Sequence, residues 1–232
     1  MPSEVQLFDS MKKQIMQDVY EKRMLLTSVR DKPDGWELVS GIWSPFYIQL
    51  RILSSYPETL KLVGKAMSMM IEDEMPEVDR VVGLAFAGIP IATAVSMVSN
   101  IPACHTRKVL GVRSQQELDE YLSEYGQHSL VEGVIECGDT LCIVDDLVTG
   151  MESKLLGRAQ IQAEIERREL EDVRCNHVAV IVDRQQGAKT KAASEDLNLH
   201  SLIRLVNEGL PMIEELMNGE EYLTIMQYLE GE

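Results

Sequence analysis

The sequence predicts an α/β protein built on a doubly wound parallel sheet, with a small hood subdomain made by its N-terminal segment. Three observations carry this reading. Five short apolar runs, Val81–Ala85, Ala103–Arg107, Leu141–Val144, His177–Val182 and Leu202–Val206, alternate with helical stretches, the pattern of right-handed βαβ crossovers. Leu141–Val144 has no polar interruption, as expected of a strand buried on both faces. The same run ends on adjacent carboxylates, Asp145 and Asp146, and turns through Thr149 and Gly150 toward a helix; in open parallel sheets the ligand crevice lies just beyond such strand ends.

Residues 1–56 are expected to form N-terminal helices and the hood. Val5, Leu7, Met11, Ile15, Val19 and Met24 recur at roughly helical spacing and predict one or two amphipathic helices, with the methionines packing rather than reacting. The stretch DKPDGWELVSGIWSPFYIQLRILSSYP is rich in turn formers and aromatics, and Tyr47, Ile48 and Leu50 predict a short extended segment within a flap-like insertion. The core is expected over residues 57–206. Pro57 opens a helix carrying Leu60, Val63, Met67, Met70 and Ile71, proline being favoured in a first turn. After the first strand, Gly88 and Pro90 make a turn into the helix IATAVSMV. Its amides suit a pyrophosphate, although an ordinary tight βα turn explains the same residues. Residues 207–232 are expected to form a helical segment that packs on core or hood.

A chain of 232 residues can bury one substantial core with an appended subdomain. Its formal net charge of −16 argues against a nucleic-acid partner, which would need clustered Lys and Arg. A small ligand is expected instead. Any anion must then be captured locally, against the field of the whole protein. The four cysteines, at 104, 137, 142 and 175, show neither disulfide nor zinc spacing and predict thiols in a reducing cytoplasm. No stretch approaches membrane-spanning length and the first residues lack signal-peptide character, so a soluble protein without membrane contact is expected.

Paired acids at a strand end can hold a hydrated Mg²⁺ or a sugar's hydroxyls, and a small-residue turn opening a helix offers amides to a phosphate. One aspartate capping the helix while the other is solvated is the competing structural explanation.

Asp145 and Asp146 followed by Leu147, Val148, Thr149 and Gly150 resemble the phosphoribosyl-pyrophosphate signature of type I phosphoribosyltransferases. Leu38, Ser40, Gly41, Ser44, Pro45, Tyr47 and Arg51 further resemble the L-x-S-G-x-x-S-P-x-Y pattern of orotate phosphoribosyltransferases. GIPIATA, the Arg107–Lys108 pair, LVEG at 130–133, VDD at 144–146, VDRQQGA at 182–188 and LHSLIRL at 199–205 follow in that family's order. The similarity spans about Trp36 to Leu205 and implies the type I phosphoribosyltransferase fold.

The resemblance implies transfer of a phosphoribosyl group from phosphoribosyl pyrophosphate to orotate, a step of pyrimidine nucleotide biosynthesis, with Mg²⁺ and a homodimer. Asp145 and Asp146 would face the ribose hydroxyls and, through water, Mg²⁺. Thr149, Gly150 and Ser153 would hold the 5-phosphate, and Ser40 and Gly88 would also contact substrate. Arg184 would pair with the orotate carboxylate, and Phe46 and Tyr47 would cover the pyrimidine. Arg107 and Lys108 would begin a mobile basic loop that screens the leaving pyrophosphate, with His128 standing in for the loop histidine and Lys108 and His128 serving catalysis.

The chain departs from the family pattern at Val39 and Ala87, where lysines are usual, and at Gly150, Met151 and Glu152, which bring bulk and a negative charge to the phosphate loop. The loop's second lysine and histidine fall on Gly111 and Arg113. The following SQQELDEYLSEYGQHS is acidic and predicts an amphipathic helix with Leu118, Tyr121, Leu122 and Tyr125 on one face. These departures leave a second reading open, a non-catalytic relative that binds a nucleotide to regulate another process. A phosphoribosyltransferase for another base is a third.

Overall fold

The structure is a computed structural model that describes residues 3–38, 41–125 and 128–231. Helix α1 (Glu4–Glu21) starts with a capping box, Ser3 Oγ accepting from the Gln6 N–H while the Gln6 side chain accepts from the Ser3 N–H. Its Met11, Ile15, Met16 and Val19 are buried. Four short strands form the hood: β1 (Leu25–Thr27), β2 (Trp36–Glu37), β3 (Trp43–Ser44) and β4 (Phe46–Ile48). They pair antiparallel, β1 with β4 and β2 with β3, apart from the main sheet. Helix α2 (Pro57–Glu74) begins on Pro57 as its sequence predicts.

The core then alternates β5 (Arg80–Gly83), α3 (Gly88–Ser99), β6 (Ala103–Thr106), α4 (Gln115–Tyr125), β7 (Val131–Glu132), β8 (Thr140–Val148), α5 (Glu152–Arg167), β9 (Arg174–Asp183), α6 (Ala188–Ser194) and β10 (Asn198–Arg204). The strands form one sheet in the order β10-β9-β8-β5-β6-β7, parallel except for β7 at the edge. Expected strand ends shift where pairing continues beyond the apolar residues. β8 runs on through Asp145 and Asp146 because Asp145 lies opposite Val180 and Leu147 opposite Val182. β10 starts at Asn198, opposite His177, four residues before the expected Leu202.

Two apolar layers explain the uninterrupted run in β8. Cys142 and Val144 join α1, α2 and α3 in one layer, whereas Leu141 and Ile143 face Ile161 and Ile165 of α5 in the other. The acidic insertion is also structured. α4 buries Leu118 with Val109, Val112 and Leu130, and this cluster packs on Leu156, Ala159 and Ala163 of α5. The chain ends in α7 (Leu210–Ile213) and α8 (Gly219–Glu230). α8 reaches the hood: the Glu221 carboxylate accepts from Tyr20 Oη at 2.9 Å and Thr27 Oγ1 at 2.6 Å, and the Tyr228 ring meets Phe46 edge-on. Among the described residues no helix is long and apolar enough to cross a membrane.

The fully buried Glu164 fastens the α4 segment to α5. It accepts from the Leu130 N–H at 2.7 Å and from Arg168 Nε at 2.6 Å, and also pairs with Arg167. Burial pushes its carboxyl up, but the bonds from Arg167, the Leu130 N–H and Arg168 outweigh this and hold it down at about 2. Such a depressed carboxyl stabilises the fold above its unfolded value and loses that contribution as pH falls toward the folded one. Glu164→Gln is therefore expected to cost about 3 kcal/mol in urea denaturation at neutral pH. The deficit should shrink toward pH 3; a constant deficit would show that charge is not the cause.

Candidate active site

The chain leaves β5 for β6 on one side and returns to β8 on the other, so the ends of β5 and β8 open a crevice. A cavity of about 340 Å³ lies there, bounded by Tyr47, Arg51, residues 85–87, Lys108, Asp145, Asp146, Ser153, Lys154 and Arg184. A groove of about 360 Å³ between α1 and α2 is rimmed by Glu4, Glu72, Asp73 and Glu74. With no basic residue in its lining, it suits no anionic ligand.

Asp145 and Asp146 are 8% and 9% exposed, and both line the crevice from inside β8. Asp146 Oδ1 accepts the N–H of Leu147 at 2.8 Å. Asp145 Oδ2 lies 2.9 Å from Lys154 Nζ, which also donates to the Leu147 carbonyl at 2.6 Å and to Ser153 Oγ at 3.3 Å. Burial first and the Asp145 charge second push the Asp146 carboxyl up to about 6, against the pull of Lys154 and Arg51.

Beyond β8, Thr149, Gly150 and Met151 bend into α5, and Met151 supplies no side-chain cap, leaving the first N–H groups of the helix for a ligand or water. The expected bulk at Met151 does not arise, because its side chain is buried in the layer with Val148 and Ile161. The expected charge does. The exposed Glu152 folds its carboxylate over the turn, and a Cβ built on Gly150 would stand 2.3 Å from Glu152 Oε2. Ser153 lines the cavity, with Thr149 and Gly150 half-buried in the adjoining bend.

Gly88 requires a correction. Its N–H donates to the Leu84 carbonyl at 2.8 Å, and a Cβ on it would come within 2.1 Å of the Val144 carbonyl oxygen. The glycine lets α3 approach β8 closely and does not line the crevice, whose wall here is Ala85, Phe86 and Ala87. Phe46 is corrected likewise. It is fully buried and covers no ligand space; its ring lies under the Arg184 guanidinium, 4.6 Å away. Tyr47 does line the cavity, stacked against Trp36 at 6.2 Å.

Lys108 reaches the cavity, whereas Arg107 borders a smaller recess beside Asp145 and lies 3.6 Å from Glu132. The expected mobile lid beginning there is docked on α5 through α4, whose apolar face buries Leu118. His128 is exposed and outside both cavity linings, because it sits past α4 in the link to β7. Ser40 and the departure at Val39 lie outside the described residues. Two basic cavity residues had no assigned role in the sequence: Arg51, present in the hood pattern, and Lys154, whose only signal was a lysine in the first turn of a helix, at the wrong end for the dipole.

Two carboxylates supply hard oxygen donors, and among the described residues no third His, Cys, Asp or Glu joins them in a metal cage. This fits Mg²⁺, which keeps its waters and is held by one or two carboxylates together with substrate phosphates.

Fold and crevice together define the type I phosphoribosyltransferase architecture, with tandem acids and a turn into a helix at the switch point of a parallel sheet. No protein-family model matches the chain. It is 33% identical over 187 residues to the orotate phosphoribosyltransferase of Caenorhabditis elegans, covering 80% of this chain and 74% of that one. The chain belongs to the orotate phosphoribosyltransferase family. The structure of Leishmania donovani UMP synthase superposes with a TM-score of 0.75 at 23% identity, over 97% of this chain, which spans 43% of that protein. The orotate phosphoribosyltransferase of Mycobacterium tuberculosis, solved in complex with 5-phospho-α-D-ribosyl 1-diphosphate, gives 0.59 at 23% identity over 86% of this chain and 99% of that one.

A buried carboxyl with a raised pKa destabilises the fold above its folded value and ceases to do so below its unfolded one. Asp146→Asn keeps the acceptor for the Leu147 N–H and removes that charge. It is expected to stabilise the protein by on the order of 2 kcal/mol at about pH 8, with the gain gone by about pH 4. Thermal melts at the two pH values check this, and equal midpoints at pH 8 would contradict it.

Proposed function

We propose that this protein transfers the phosphoribosyl group of phosphoribosyl pyrophosphate to orotate, giving orotidine monophosphate and pyrophosphate in pyrimidine nucleotide biosynthesis. The observation that carries the proposal is the sharing of one cavity by Asp145, Asp146, Ser153, Lys108 and Arg184. A polyanionic sugar donor and a planar carboxylate acceptor need these groups together.

In the proposed reaction the ring nitrogen N1 of orotate forms a bond to C1 of the ribose as the C1–O bond to pyrophosphate breaks; the electron pair of that bond leaves with the pyrophosphate oxygen, and the proton of N1 is released to solvent or taken up by the leaving pyrophosphate. Positive charge develops on the ribosyl group, and Asp145 and Asp146 stabilise it electrostatically while orienting the sugar hydroxyls. The loop from Thr149 to Ser153 holds the 5-phosphate by its amides, and Lys108 screens the leaving pyrophosphate. Bound Mg²⁺, carried by the donor and held through water by the two aspartates, would add charge neutralisation on the pyrophosphate. The Arg184 guanidinium, fixed by stacking on Phe46, offers a planar fork to the orotate carboxylate, and Tyr47 closes over the ring.

The assembly proposed is a homodimer, supported by the exposed apolar Met97 and Val98 on α3. A cytoplasmic setting is supported by four free thiols, three of them buried. Loss of orotate absorbance on adding donor and Mg²⁺ tests the activity. Nucleotide binding by calorimetry without any turnover would favour the regulatory reading instead.

Arg184→Lys keeps the charge and loses the fork. It is expected to raise the KM for orotate by about 10- to 100-fold while leaving the KM for the donor within about threefold. Initial rates with each substrate varied check this; equal changes in both constants would place Arg184 away from the acceptor.

A further inference from the structure

The sequence loses basic groups where its family usually carries them, at Val39 and Ala87, and adds Glu152 to the phosphate loop. A donor carrying several phosphate charges must nonetheless enter beside two carboxylates. One buried cation answers this. Lys154 is 4% exposed, and its ammonium pairs with Asp145 Oδ2 at 2.9 Å while donating to the Leu147 carbonyl at 2.6 Å and to Ser153 Oγ at 3.3 Å. Ser153 belongs to the phosphate loop and Leu147 to the strand that bears the acids, so the ammonium bridges the two halves of the donor site.

Nothing about helix stability favours this lysine. It lies in the first turn of α5, where the dipole disfavours a cation, and its stem is buried away from water. Fold stability alone would be served by an apolar side chain facing a neutral partner. The reason to keep a cation is charge. With Lys154 the two acids and the lysine sum to one negative charge when all are ionised; without it they sum to two.

We propose that Lys154 is a built-in counter-cation of the donor site, a positioning residue that neutralises Asp145 and takes over part of the charge compensation a divalent cation otherwise supplies. The inference rests on the proposed donor site. It predicts that phosphorylated ligands bind with a weaker demand for Mg²⁺ than the paired acids alone would impose.

The test is calorimetric binding of orotidine monophosphate to the full-length protein, in EDTA and then in excess Mg²⁺. It compares wild type with Lys154→Met and Lys154→Gln. In EDTA, each neutral variant is expected to bind at least about tenfold more weakly than wild type, and Mg²⁺ to recover most of that loss while changing wild-type binding by less than about threefold. A purely structural lysine would leave the variants' loss in place in Mg²⁺. Should neither variant fold, the wild type's own affinities in EDTA and in Mg²⁺ still decide: a difference within about threefold supports the charge account, and a tenfold gain with Mg²⁺ overturns it. A folded Lys154→Met that binds like wild type in EDTA overturns this inference while leaving the donor site standing. A wild type that binds neither nucleotide nor donor in Mg²⁺ overturns both.

Discussion

The rest of the site depends on two carboxylates held side by side inside a buried strand. Asp145 and Asp146 lose solvation and repel each other, a combination that a fold tolerates only with compensation close by. The compensation differs for the two. Asp145 is met by the Lys154 ammonium, whereas Asp146, among the described residues, accepts from the Leu147 N–H and feels the more distant fields of Lys154 and Arg51. One acid is thus held by a full counter-charge, and the other sits where a proton, a metal's water or a sugar hydroxyl can answer it.

The surrounding architecture keeps this arrangement in place. β8 is paired on both sides, by β5 and β9, so the aspartates sit on backbone that cannot slip in register without turning the apolar run out of its layers. Gly88 brings α3 against the same strand, and Met151 plugs the base of α5 into the core. Arg184 follows β9 and is fixed between the Val148 carbonyl, which its backbone N–H meets at 3.0 Å, and the Phe46 ring. A protein of net charge −16 therefore gathers Arg51, Lys108, Lys154 and Arg184 at one crevice, a local reversal of its overall field.

The alternation of apolar runs made the sheet legible in the sequence, and the tandem aspartates marked the crevice, because burial on two faces and a switch point leave strong local signals. Strand ends were less legible: the β8 ladder continues through acids that no hydrophobic pattern would include, since backbone pairing is indifferent to side-chain polarity. Gly88 and Phe46 carried the right residue types for a ligand, yet a close backbone approach and a stacked arginine use those residues instead. Lys154 left no periodic signal. Its partner Asp145 is nine residues away, on a different element, and only the fold of the β8–α5 turn brings them together. The acidic stretch after Lys108 showed its amphipathic helix plainly, but its docking onto α5 through Leu118 and the Glu164 anchor depends on long-range contacts.

If the tandem aspartates grip an activated sugar phosphate, they meet the ribose of a bound donor. A crystal structure with phosphoribosyl pyrophosphate and Mg²⁺ tests it most directly. The expected result places the ribose hydroxyls within hydrogen-bonding distance of Asp145 and Asp146, with the 5-phosphate seated on the amides between Thr149 and Ser153. A donor bound elsewhere, with both carboxylates still closed off from it, would contradict the account.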